Sequence, residues 1–118
     1  MFLDLLQKVS THVEGVQGCL LLDRDAVSIA EQVLPAHAEM LSSLAVELTH
    51  ALRLLARNGA LEQTGPCHEF LFRMQHVTAL GMSLQGEHVL LVALEAGADI
   101  ERARRMLTLL CPWVERLL

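Results

Sequence analysis

Val13-Glu-Gly-Val-Gln-Gly-Cys-Leu-Leu-Leu-Asp-Arg-Asp-Ala-Val-Ser-Ile-Ala30 decides the fold of this chain. Read in order, it is a helix end, a buried strand, a tight acidic turn and a second strand. Gly15 and Gly18 punctuate the approach, and Cys19 to Leu22 are apolar without a break. Asp23-Arg24-Asp25 supplies turn chemistry, because short Asx side chains bond the neighbouring backbone and stabilise a reversal. A strand that is apolar on both sides needs cover on both of its faces. The rest of the chain must therefore provide two layers.

Working outward, Phe2, Leu5, Leu6, Val9 and Val13 recur at three- and four-residue steps and predict a short first helix that Gly15 ends. The first strand is expected over Val16 to Asp23 and the second over Ala26 to Gln32. Pro35 breaks the chain, and a long helix is expected from about Ala36 to Arg57, with Asn58-Gly59 as its stop. Residues 59 to 66 read as a loop. Strands follow over His68 to Gln75, Val77 to Leu84 and His88 to Leu94, the last two separated by a tight turn at Gln85-Gly86. Asp99 is an N-cap for a final helix, which Pro112 is expected to kink or restart.

The result is an α+β order, α-β-β-α-β-β-β-α, over residues 1–118 as one domain. Five closely linked strands predict one antiparallel sheet, with the terminal helices on one face and the long helix on the other. The continuously apolar strands, Cys19 to Leu22 and Val89 to Leu94, belong in the middle. The alternating Phe70, Phe72 and Met74 suit a strand nearer an edge.

Composition narrows the function. The chain is 53% hydrophobic, with 25 leucines in 118 residues, yet its apolar runs are far too short to span a bilayer. The N-terminus, Met-Phe-Leu-Asp, lacks the basic region of a signal peptide. Cytoplasmic localisation is expected, and the excess of apolar residues points to burial in a core and a subunit interface. A net charge of −5 argues against nucleic-acid binding. Arg102, Arg104 and Arg105 read as a solvated helix surface. Cys19, Cys67 and Cys111 are odd in number, sit in apolar settings and read as reduced thiols.

No chemistry is indicated. The six histidines, 12, 37, 50, 68, 76 and 88, are scattered without metal-site spacing. Asp23 and Asp25 lack the further oxygens of a calcium loop. Neither a phosphate-cradling glycine loop nor a nucleophile elbow occurs. Ser10, Thr11, His12 and Glu14 resemble a triad in composition alone. No cofactor, no metal and no catalytic residue is expected.

The long helix does carry an interaction signal. At 100° per residue, Leu41, Leu44, Ala45, Leu48, Leu52 and Leu55 form the core stripe. Met40, Glu47 and Leu54 fall beside it at seven-residue spacing, next to Ala51, and predict a seam against the same helix of a second copy. Glu39, Ser43, His50, Arg53 and Arg57 take the opposite side.

The opening segment resembles the roadblock family, named for a dynein light chain. Members typically show a helix, Gly-x-x-Gly (here Gly15 to Gly18), an apolar strand, an Asp-rich turn (Leu20 to Asp25) and a strand ending near Ser28-Ile-Ala30. Leu90 to Ala98, leading into the helix at Asp99, looks like the family's end. The family commonly has Asp-Gly at the turn, where this chain has Asp25-Ala26.

The resemblance implies a homodimer in which the long helices pair and edge strands join two sheets, involving Met40, Glu47, Ala51, Leu54, Leu71 and Arg73. It further implies a non-catalytic regulator or adaptor that binds a small Ras-like GTPase and modulates its GTP hydrolysis or localisation. Glu39, Ser43, His50, Arg53 and Arg57 are the partner-binding candidates. The alternatives are a scaffold subunit of a signalling or motor complex, or a PAS/GAF-like sensor, which would need a polar-lined cavity in a core that reads as filled with leucine.

Overall fold

The computed structural model describes residues 1–57 and 60–118. The elements are α1 (Phe2–His12), β1 (Val16–Leu22), β2 (Ser28–Val33), α2 (Ala38–Arg57), α3 (Ala60–Thr64), β3 (Glu69–Arg73), β4 (Val77–Ser83), β5 (Val89–Glu95) and α4 (Ile100–Leu117). The five strands form one antiparallel sheet in the order β2-β1-β5-β4-β3. As their composition requires, β1 and β5 are central, and β3 is an edge.

Two cores sandwich the sheet. Leu6 and Val9 of α1, Val13 just beyond its end, and Ala103, Leu107, Leu110 and Val114 of α4 pack on Cys19, Leu21, Leu80, Leu90, Val92 and Leu94. On the other face, Ala45 and Leu48 of α2 pack on Leu20, Leu22, Phe70, Ala79, Val89 and Leu91. The strict alternation of strand side chains sends Leu20 and Leu22 one way and Cys19 and Leu21 the other. That is why an unbroken apolar run was needed.

Glycine allows the closest approaches. A Cβ on Gly18 would lie 2.5 Å from Leu41 Cδ1, so this position lets the start of α2 sit down on β1. A Cβ on Gly81 would lie 2.0 Å from Phe70 Cζ, so the Phe70 ring occupies the space that a side chain on β4 would need.

The acidic turn is built on Asp23. Its Oδ1 accepts from the Asp25 amide at 2.8 Å and the Val27 amide at 3.0 Å, and Ala26 closes the reversal at φ 64°. A left-handed conformation costs an L-residue about 1–2 kcal/mol. Ala26→Gly removes that strain and restores some unfolded-state entropy. We expect a net stabilisation of about 0.5–1 kcal/mol, read as a melting temperature higher by about 3–5 °C. An unchanged or lower value would contradict the strain.

Four expectations are corrected. Residues 60–64, read as loop, form the one-turn helix α3, which Gly65 ends at φ 80°. The long helix is preceded by a 3-10 turn at Pro35–His37 and begins at Ala38. Gln85-Gly86 is part of a longer 3-10 connection, Gln85–Glu87, with both Gly86 and Glu87 at positive φ. Finally, α4 runs through Pro112 as one helix. The carbonyl that Pro112 leaves without a donor is that of Thr108, four residues back, and both residues are exposed, so water can take the place of the lost bond. The expected stop at Asn58-Gly59 lies outside the described residues. The Asp99 cap forms as expected, its Oδ1 accepting from the Arg102 amide at 3.0 Å.

Candidate functional site

Two of the residues that resemble a triad in composition alone are engaged in structural bonds. Thr11 Oγ1 donates to the Gln7 carbonyl at 2.9 Å, and the His12 ring donates through Nδ1 to the Lys8 carbonyl at 2.8 Å. Both side chains thus fold back on their own helix. They border a polar hollow with Glu14, Glu95, Asp99 and Arg102. Among the described residues, no three His, Cys, Asp or Glu side chains are grouped to hold a metal ion. No helix among them is long and apolar enough to cross a membrane.

The thiols divide by burial. Cys19 lies in the core and Cys67 and Cys111 are partly buried, all three free. Burial, with Cys111 nearby, pushes the Cys19 thiol from 9.0 up to about 12. Burial, with the Glu115 carboxylate nearby, pushes Cys111 up to about 11. The folded protein therefore holds protons that the unfolded chain releases above pH 9.0, so stability is full below that value and falls as pH rises toward 12. With no tyrosine and a single lysine in the chain, few other groups titrate there. We expect the denaturation midpoint to stay level up to about pH 8 and drop above about pH 9, with much of the slope removed in Cys19→Ala. A slope unchanged by that substitution would contradict the assignment.

Among the described residues, one flank of α2 exposes apolar side chains. Leu41, Ala45 and Leu48 are buried, and Leu44 and Leu52 partly so. Leu55, assigned to the core stripe, is instead exposed. It borders a groove of about 230 Å³ with Leu52, Pro66, Cys67, Leu84 and Val89, where α2 passes the β4–β5 connection. Beyond the core stripe, Met40 is 38% and Leu54 45% exposed, with Ala51 half-buried and Glu47 exposed between them. The helix pitch puts these four residues on one flank.

The other flank is tied down. Arg53 donates to the Arg24 carbonyl in the β1–β2 turn and pairs with Glu87 Oε1 at 3.1 Å, while Arg24 Nε lies 3.4 Å from Glu87 Oε2. Arg53 is therefore held between two turns rather than free in solvent. Leu52 and Leu55 border Pro66 and Cys67, just before β3, so the Met40–Leu54 flank beyond them turns toward the β3 side of the helix.

There the sheet ends in β3. Its pairing with β4 places Phe70 and Phe72 on the α2 face, and Leu71 and Arg73 on the α4 face. Leu71 and Arg73 thus share the open edge with the α2 flank without joining its surface. Phe72, partly exposed and 5.7 Å centroid-to-centroid from Phe70, lies on the same face of the sheet as α2. Glu39, Ser43 and His50 are exposed along α2, and the Arg57 side chain lies outside the described residues.

Solved structures share this architecture. MglC from Myxococcus xanthus aligns over 99% of this chain and 98% of its own, at 24% identity and a TM-score of 0.70. A Roadblock/LC7 domain from Streptomyces avermitilis aligns over 95% and 96%, at 15% identity and 0.70. An MglB with tetrameric arrangement aligns over 96% and 84%, at 12% identity and 0.81. No protein-family model and no curated protein matches the chain. At these identities the likeness is one of fold.

Proposed function

From the premise of a roadblock/LC7 fold, we propose that this protein is a non-catalytic homodimeric regulator or adaptor that binds a small Ras-like GTPase and modulates its GTP hydrolysis or localisation. The observation that carries the proposal is the apolar flank of α2 beside an open sheet edge. Met40, Ala51, Leu54 and Phe72 offer apolar surface where the main-chain groups of β3 lack a neighbouring strand among the described residues. A two-fold axis along this flank would pair α2 with α2 and continue the sheet through β3, with Leu71 and Arg73 at the strand junction. The tetrameric arrangement of the similar MglB supports self-association.

In such a dimer Glu39, Ser43 and His50 form a solvent-facing surface available to the GTPase. Regulation of this kind works by reshaping the loops that hold the nucleotide, and it requires no catalytic side chain from the regulator. Arg53, bound to Glu87 and to the Arg24 carbonyl, stays in the scaffold.

The test is a pull-down of the small Ras-like GTPase from the same organism, loaded with GDP or a GTP analogue, followed by hydrolysis measurements. Nucleotide-dependent binding with a changed hydrolysis rate is expected for a regulator. Binding with an unchanged rate marks an adaptor, and absence of binding in both states contradicts the reading.

A further inference from the structure

On the opposite side of the molecule α4 presents a second unpartnered surface. Its inner stripe, Ala103, Leu107, Leu110 and Val114, is buried against the sheet. Its outer arc carries Arg102, Arg105, Leu109, Trp113 and Arg116, with Leu109 66% and Trp113 58% exposed. Leu109 and Trp113 are four residues apart and so lie one above the other on the helix.

The charge on this arc is one-sided. Both carboxylates of α4 are turned elsewhere. Glu101 pairs with Arg104, which also reaches Glu69 of β3 at 2.9 Å. Glu115 Oε2 accepts from the Gln85 amide at 3.0 Å. Arg102, Arg105 and Arg116 make no ion pair among the described residues. Arg102 Nε donates to the His12 carbonyl, and the Arg116 guanidinium lies 5.0 Å from the centroid of the Trp113 ring. A guanidinium stacked in this way keeps its edge open to a carboxylate. In a chain of net charge −5, this helix face therefore sets Arg105 and Arg116 around two large apolar side chains, with Arg102 at its edge beside the hollow that Glu14, Glu95 and Asp99 line.

We propose that the outer face of α4 docks an acidic amphipathic helix of a partner protein. Residues 102, 105, 109, 112 and 116 follow the alternating three- and four-residue steps of a helix-pairing seam. Leu109 and Trp113 supply its apolar centre, and the arginines select carboxylates flanking the partner's apolar stripe. An anionic membrane is a poorer fit. Lipid-binding basic clusters usually carry about four to eight cations, more than this face has, and the rest of the chain is acidic. The proposal is independent of the α2 seam, which lies across the sheet.

Trp113 is the only tryptophan, so its emission reports this face alone. The probe is a peptide of about three heptads with Leu at a and d and Glu at e and g, whose own copies repel one another. We expect a saturable blue shift of Trp113 emission, weakened about tenfold in Arg105→Glu/Arg116→Glu and in Leu109→Lys, and weakened by added salt. Circular dichroism of these surface variants should match the parent. The proposal is overturned by absence of a saturable shift or by equal binding to the variants. It is also overturned by an equal shift with phosphatidylglycerol vesicles, which marks a membrane surface, or by a concentration-dependent shift without peptide, which marks self-association.

Discussion

Replacing Met40 and Leu54 with glutamate is expected to yield a folded particle of half the mass of the proposed parent dimer. Both side chains lie on the exposed flank of α2 and neither belongs to the core, so folding should survive. In a two-fold pairing of antiparallel helices, the Met40 end of one helix meets the Leu54 end of the other. Glutamates at both positions then oppose like charges on the partner, in line with Glu47. Each also buries a carboxylate without a cation, a cost of several kcal/mol at a desolvated seam. Light-scattering chromatography should give the 13.0 kDa of a single chain in place of twice that value. Met40→Glu with Leu54→Arg brings opposite charges together across the same antiparallel seam, and it should dissociate less. A mass unchanged in the double-glutamate variant would remove α2 from the interface.

The largest effect on folding is expected at Gly81. A Cβ there falls 2.0 Å from Phe70 Cζ and 2.4 Å from Cε1, a collision that a rigid ring can relieve only by leaving its place. Phe70 is otherwise 9% exposed and belongs to the core beneath α2. Expelling it costs much of what deleting a buried phenylalanine costs, so Gly81→Ala should destabilise by about 3 kcal/mol even though alanine is ordinarily the better strand residue. Phe70→Leu added to Gly81→Ala should be less damaging than the two single effects summed, because the shorter side chain vacates the contested space. A loss below about 1 kcal/mol for Gly81→Ala would show that the ring is not fixed there.

These two sites also mark what was legible in the sequence. The unbroken runs Cys19–Leu22 and Val89–Leu94 required cover on both faces, and that requirement alone placed β1 and β5 centrally and assigned helices to each side. The Met40/Glu47/Leu54 flank followed from helix pitch. The Phe70–Gly81 fit could not be read, because it depends on the register of β3 against β4 rather than on either segment alone. The α3 turn was hidden since one helical turn shows no periodicity, and the Gly and Pro around it favoured a loop. Ala26 at positive φ ran against local preference, and the turn keeps it because Asp23 holds the backbone from both sides. The engagement of Arg53 with Arg24 and Glu87 joins residues far apart in the chain, so nothing in its neighbourhood distinguished it from a solvated arginine. Phe72 was visible as an alternating strand residue. Its place on the α2 face of the sheet appeared only once the pairing of β3 with β4 was fixed.

In the proposed function a dimer of this chain engages a small Ras-like GTPase. The most direct measurement is the mass, by light scattering on a size-exclusion column, of the complex formed with that GTPase in its GTP-analogue state. The expected result is a particle holding two copies of this chain with GTPase bound, and loss of the two-copy core in the Met40→Glu/Leu54→Glu variant. Elution of the two proteins as separate species, or a complex with a single copy of this chain, would contradict it.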